Sequence, residues 1–170
     1  EQSDVQFHAV HFKMTSGEVE LLRSPQAYDD MENAAGWVLA RGGKLLVQQG
    51  TSLKEIASAQ SLPKQPYQIV GVDLAGARVV DADIWRLQQL PDLTAVGLRD
   101  TLISNASLER IAELPRLARL DVSANRISAT ALRSLHGCAS LRQLTCRGVL
   151  LPPAELQSWS REMPAVRLLK

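Results

Sequence analysis

From Ile69 onward the apolar positions of the chain repeat. Ile69, Leu93, Leu117 and Leu141 open successive units 24 residues apart. Three residues on stand Val72, Val96, Leu120 and Leu144, and five on stand Leu74, Leu98, Val122 and Cys146. Ten on stand Val79, Ile103, Ile127 and Leu151. A second set steps by three through Ile84, Leu87 and Leu90, then Leu108, Ile111 and Leu114, then Leu132, Leu135 and Cys138, and last Leu156 and Trp159. Of the 28 positions in this frame 27 are apolar, Glu162 being the exception, in a chain that is 45% hydrophobic overall. The frame is therefore a structural period and not a by-product of composition.

Each unit changes period halfway. Leu120 and Val122 alternate with Arg119, Asp121 and Ser123, as the two faces of a strand do. Leu132, Leu135 and Cys138 form one stripe of a helix. Ser104 and Ser128 are placed to cap their helices, and Asp81 and Asp83 put carboxylates by a first turn, where the helix dipole favours them. Pro91, Pro115 and Pro164 recur where helices end. A period in the twenties with an LxxLxL core is the mark of a leucine-rich repeat, in which stacked units share one core. The expected fold is α/β: a short right-handed leucine-rich-repeat solenoid, parallel strands inside and helices outside, with an N-terminal helix-strand cap and an N-terminal β-hairpin.

Three parts follow. Residues 1–24 read as the hairpin extension: Val5–Lys13 is strand-like, Thr15-Ser16-Gly17 is turn chemistry, and Glu18–Leu22 returns. Residues 25–66 read as a cap of helix, strand and connector. Its helix opens at Ser24-Pro25, runs to Arg41 on a stripe of Met31, Ala34, Ala35, Val38 and Leu39, and stops at Gly42-Gly43. Lys44–Gln49 is its strand, and Gly50–Pro66 its connector, with one helical turn around Leu53–Ala57. Residues 67–170 read as the arc and its C-terminal cap, which breaks the pattern at Pro152-Pro153 and ends in a short strand, Val166–Leu169.

The formal net charge of +1 gives no electrostatic reason to bind nucleic acid or an anionic membrane surface. No apolar run approaches the ~18 residues of a membrane-spanning helix. The chain opens with Glu1, as either a removed leader or a trimmed start would leave it; an exported or periplasmic location is expected ahead of a cytoplasmic one. Cys138 and Cys146 occupy core positions and read as buried small hydrophobes; without further ligands they form no zinc site.

Chemistry is hard to find in this chain. There is no Gly-x-Ser-x-Gly, no histidine set beside a nucleophile and no phosphate loop. Arg41-Gly42-Gly43-Lys44 follows a helix instead of preceding one, so it is a helix stop. Asp29, Asp30 and Glu32 read as a solvated helix face. His8 and His11 are three apart in a strand, on opposite faces, which argues against a shared metal. No catalytic residue, metal or cofactor is expected. The outward strand positions, in contrast, form a grid: Gly71, Asp73 and Ala75; Ala95, Gly97 and Arg99; Arg119, Asp121 and Ser123; Gln143, Thr145 and Arg147. Its small residues suggest room for close approach, and its arginines suit an interface. Asp73, Arg99, Arg119, Asp121, Gln143 and Arg147 are the expected partner-binding residues, with Trp85 a possible secondary contact on the convex side.

Helix, Gly-Gly, strand, then Ile69-Val70-Gly71-Val72-Asp73-Leu74-Ala75-Gly76 and units of 24 residues resemble the small bacterial leucine-rich-repeat proteins with a ribonuclease-inhibitor-like arc. Val80-Asp81-Ala82-Asp83-Ile84 and Ser104-Asn105-Ala106-Ser107-Leu108 are degenerate forms of their helix lead-in, and Met163-Pro164-Ala165-Val166 fits their closing cap. Ala34-Ala35, Trp37-Val38-Leu39 and Tyr67-Gln68-Ile69 are also similar to the mitochondrial ATP synthase coupling factor B group, whose members are accessory or assembly factors. The expected function is a non-catalytic protein–protein interaction module that offers its concave face to a protein partner. One alternative is an accessory or assembly subunit built into a larger complex, membrane-associated complexes included. Another is a small metal-binding protein using His8 and His11.

Overall fold

A computed structural model describes residues 4–7, 10–15, 18–23, 25–64, 66–149 and 152–170. The chain is mixed α/β, built on an open, mostly parallel seven-stranded sheet. Strands β1 (Asp4–Phe7), β2 (Val10–Thr15) and β3 (Glu18–Arg23) precede helix α1 (Pro25–Ala40), then β4 (Lys44–Gln49), β5 (Ser52–Ile56) and β6 (Gln68–Asp73). Helix α2 (Trp85–Gln88), β7 (Ala95–Gly97), α3 (Asn105–Ala112), β8 (Arg119–Asp121), β9 (Gln143–Thr145), α4 (Pro153–Glu162) and β10 (Arg167–Leu169) complete it. The large sheet runs in the order β10-β9-β8-β7-β6-β4-β5.

The 24-residue period is the register of this sheet. Gly71 pairs with Ala95, Ala95 with Arg119, Arg119 with Gln143 and Gln143 with Arg167, all in parallel. The ladder runs on past the named strands. Leu74, Leu98, Val122 and Cys146 each donate their N–H to the carbonyl one strand over, at 2.8 to 2.9 Å. Behind it the apolar set closes one continuous core, with Leu74, Leu98, Val122 and Cys146 at no measurable exposure.

Every unit turns away from its strand through the same left-handed residue. Gly76 has φ 73°, Asp100 53°, Ala124 55° and Gly148 78°. Two side-chain ladders then tie units together. Asn125 donates to the carbonyls of Leu98, at 2.6 Å, and of Val122 and Ser123, while its Oδ1 accepts from both the N–H and the hydroxyl of Thr101. On the flank, Asp81 accepts from the Ser104 N–H and hydroxyl and from the Ser107 hydroxyl, and Asn105 accepts from the Ser128 N–H at 2.9 Å. Burial alone would raise the Asp81 carboxyl; the hydrogen bonds from Ser104 and Ser107 outweigh it and hold it below the ordinary carboxylate range.

The helices of the units are short. Helix α2 has 4 residues, and the third unit carries a 3-10 segment, Thr130–Gly137, in place of an α-helix. A stripe that steps strictly by three, Leu132, Leu135, Cys138, fits the three residues per turn of a 3-10 helix. The Ser104 cap is present, its hydroxyl accepting from the Ala106 N–H, and the Ser128 hydroxyl accepts from the Ala131 N–H.

Helix α1 ends as its glycines require. Gly43 N–H bonds the Val38 carbonyl and Gly42 N–H the Leu39 carbonyl, with Gly42 at φ 74°, which is a Schellman stop. The segment after β4 corrects the sequence reading. Leu53–Ala57 is no helical turn: Ser52–Ile56 is a strand, antiparallel to β4 through the two-residue turn Gly50-Thr51, with Gly50 at φ 58°. A short 3-10 segment, Ala59–Ser61, follows. The cap is thus a helix and a hairpin, and Ile56 is buried opposite Leu45. The expected N-terminal hairpin is also one strand richer. Val5–Lys13 divides into β1 and β2, which pair with each other, and β2 pairs with β3 from Thr15/Glu18 to Val10/Arg23.

Candidate interaction surface

Strand alternation sends Leu120 and Leu144 into the core and leaves Arg119, Asp121, Gln143 and Thr145 on the opposite, open face. Register brings four of the expected residues together. Asp73, Arg119, Asp121 and Gln143 line one open depression of roughly 340 Å³, joined by Lys44 and Glu55 of the hairpin. Arg99 and Arg147 do not line it. They lie where the strands exit, on either side of the buried Ser123, whose hydroxyl accepts from the Arg147 N–H at 3.0 Å. Ser123, expected to face outward, is instead part of the frame.

The small residues of the grid are filled from within. A Cβ on Gly71 would meet Leu46 Cβ at 2.8 Å, and one on Gly97 would meet Asp73 Oδ1 at 2.7 Å. The glycines seat a β4 leucine and an aspartate, so the room they leave is taken by this chain and not by a partner. This corrects the expectation drawn from their size.

The charges on this face divide by sign. Asp73 Oδ1 accepts from the Ala75 N–H at 3.0 Å, and Asp121 Oδ1 from the Ser123 N–H at 2.9 Å, each closing a local turn at a strand exit. Glu55 pairs with Lys44 at 2.8 Å and raises the Lys44 ammonium above its ordinary value. Arg99, Arg119 and Arg147 are exposed and pair with no carboxylate among the described residues. Sequence reasoning missed Lys44, Glu55 and Arg167. Arg167 was legible, standing 24 residues beyond Gln143, whereas Lys44 and Glu55 arrive by antiparallel pairing outside the repeat.

Trp85 is 42% exposed, away from this face, with the Arg86 guanidinium 4.7 Å from its ring centre. Arg86 and Arg41 also lie over the buried Trp37 ring, at 5.7 and 4.6 Å. Val80 and Leu102, 41% and 57% exposed, pair through a parallel bridge between the first two units. Cys138 and Cys146 are buried free thiols. Burial, and then the Asp121 carboxylate, pushes Cys146 up to about 11, and burial raises Cys138 as well.

His8 lies outside the described residues, and His11 is placed by its backbone in β2. No group of three or more metal-ligating side chains is present among the described residues. None of the described helices is long and apolar enough to cross a membrane. No protein-family model and no curated protein matches the chain.

Proposed function

We propose that this chain is a short leucine-rich-repeat arc acting as a non-catalytic interaction module, and that its open sheet face receives a protein partner. The LxxLxLxxN spacing of Leu117, Leu120, Val122 and Asn125, the 24-residue register and the recurring left-handed turn support the repeat class. The observation that carries the function is the state of the arginines. Arg99, Arg119 and Arg147 project from one hydrogen-bonded ladder and form no ion pair among the described residues, so a partner's acids meet them with no such bond to break first. The Arg99→Glu/Arg119→Glu double variant tests this in affinity capture from the native host's extract. A partner held stoichiometrically by wild type and lost by the folded variant fits the proposal. Equal capture by both overturns it.

A second reading, an accessory subunit built into a larger complex, has its own support in the exposed Val80, Trp85 and Leu102. These lie away from the open face. Loss of partner capture on Trp85→Ala/Leu102→Ser, with Arg99→Glu/Arg119→Glu unaffected, would favour that reading.

A further inference from the structure

We propose that the segment bound on the open face is an acidic stretch in an extended, polyproline-II-like conformation, with a carboxylate at about every third residue. The inference rests on the reading that this face binds a protein, and it names the chemistry of the part bound. Arg119, Gln143 and Arg167 are aligned across β8, β9 and β10, so the two arginines stand two strands apart. At about 4.8 Å per strand that is roughly 10 Å. Arg99 and Arg147, also exposed, repeat the same two-strand step at the strand exits, where the Ser123 hydroxyl accepts from the Arg147 N–H and the Ser123 carbonyl from the Asp100 N–H.

An extended strand laid across the sheet would present same-side groups roughly 7 Å apart, or 13 Å at the next repeat, and neither matches. A polyproline-II segment advances about 3.1 Å per residue with three residues per turn. Its same-side groups then recur at about 9 Å, close to the arginine spacing.

The acids lining the depression keep their charge, but each already has a hydrogen-bond or ion-pair partner within this chain. Asp73, Asp121 and Glu55 are held by the Ala75 N–H, the Ser123 N–H and Lys44. The arginines pair with no acid among the described residues, and guanidinium groups pair carboxylates through two parallel hydrogen bonds. Single-stranded nucleic acid is the rival polyanion. It is read through stacking platforms, and among the described residues the open face has no aromatic side chain: Trp37 and Trp159 are buried and Trp85 lies elsewhere.

The test is a fluorescence-anisotropy titration with three probes: a short Pro/Ser peptide with glutamate at every third position, the same composition with its glutamates clustered, and oligodeoxythymidylate of equal charge. The spaced peptide should bind about tenfold more tightly than either other probe. Arg119→Glu/Arg167→Glu should lose that binding by at least about tenfold, while the helix-side control Arg110→Glu/Arg161→Glu should keep it. Should the charge-reversed variant fail a circular-dichroism check of folding, Arg119→Gln/Arg167→Gln replaces it, with the same loss expected. Equal binding of spaced and clustered peptides, equal or tighter binding of the oligonucleotide, or indifference to the arginine variants overturns the proposal. A failed titration alongside partner capture that still depends on Arg99 and Arg119 would remove the acidic-segment inference alone. Capture indifferent to those arginines would remove the interaction reading beneath it.

Discussion

Ala124 adopts φ 55° at the position where the first and fourth units use Gly76 and Gly148. An L-residue there brings its Cβ against the following carbonyl, at a cost of roughly 1–2 kcal/mol. Glycine removes that cost but gives the unfolded chain extra freedom worth about 0.5–1 kcal/mol. Ala124→Gly should therefore stabilise the protein by about 0.5–1 kcal/mol. Gly76→Ala is the reciprocal experiment. Nothing lies within 4 Å of the Cβ it would add, so the loss, about 0.5–1 kcal/mol, comes from the backbone alone. Urea unfolding of both variants reads the pair, and the melting temperature should move by about 1–4 °C in opposite directions. The reasoning fails if Ala124→Gly is neutral or destabilising, or if Gly76→Ala leaves the midpoint unchanged, because the turn would then impose no left-handed requirement.

The other consequences lie in the side-chain ladders and the core. Asn125→Ala leaves the Leu98 and Val122 carbonyls and the Thr101 N–H without their shared partner and should cost about 2–3 kcal/mol by urea unfolding. Asp81 is held below its ordinary value in the folded state, so its contribution is present above pH about 4 and is lost as pH falls through the lowered folded value. Asp81→Asn should accordingly flatten the acid limb of stability against pH and leave its slope near neutrality unchanged. With Cys146 raised from 9.0 to about 11, its thiolate fraction at pH 8 is about a hundredfold below that of an unshifted thiol. Both cysteines should react with a thiol reagent only after denaturation, and rapid labelling of native protein would contradict their burial.

What was legible in the sequence is what the period controls. Leu93, Val96 and Leu98 could be placed in the core before any coordinates, because the same spacing recurs four times and each register position has one side to face. Arg119 and Asp121 followed by alternation. The strand β5 was hidden, since Ser52–Ile56 has a single buried residue, Ile56, and its pairing to β4 depends on a turn outside the repeat. The roles of Gly71 and Gly97 were hidden for a related reason. Their small size signalled space, and only the neighbouring strand shows that Leu46 and the Asp73 carboxylate fill it. Ser123 misled because its hydroxyl looked solvent-bound, whereas it bonds the Arg147 N–H across the ladder. Asn125 carried a readable signal, eight residues after Leu117, that the apolar frame alone passes over.

The most direct test of the interaction reading is site-specific photocrosslinking in native host extract, with a photoreactive residue placed at Gln143 on the open face or at the exposed Gln157 of α4. The account predicts a discrete adduct from position 143, abolished by Arg99→Glu/Arg119→Glu, and none from position 157. An adduct from position 157 alone, or one at position 143 that survives the double variant, would contradict it.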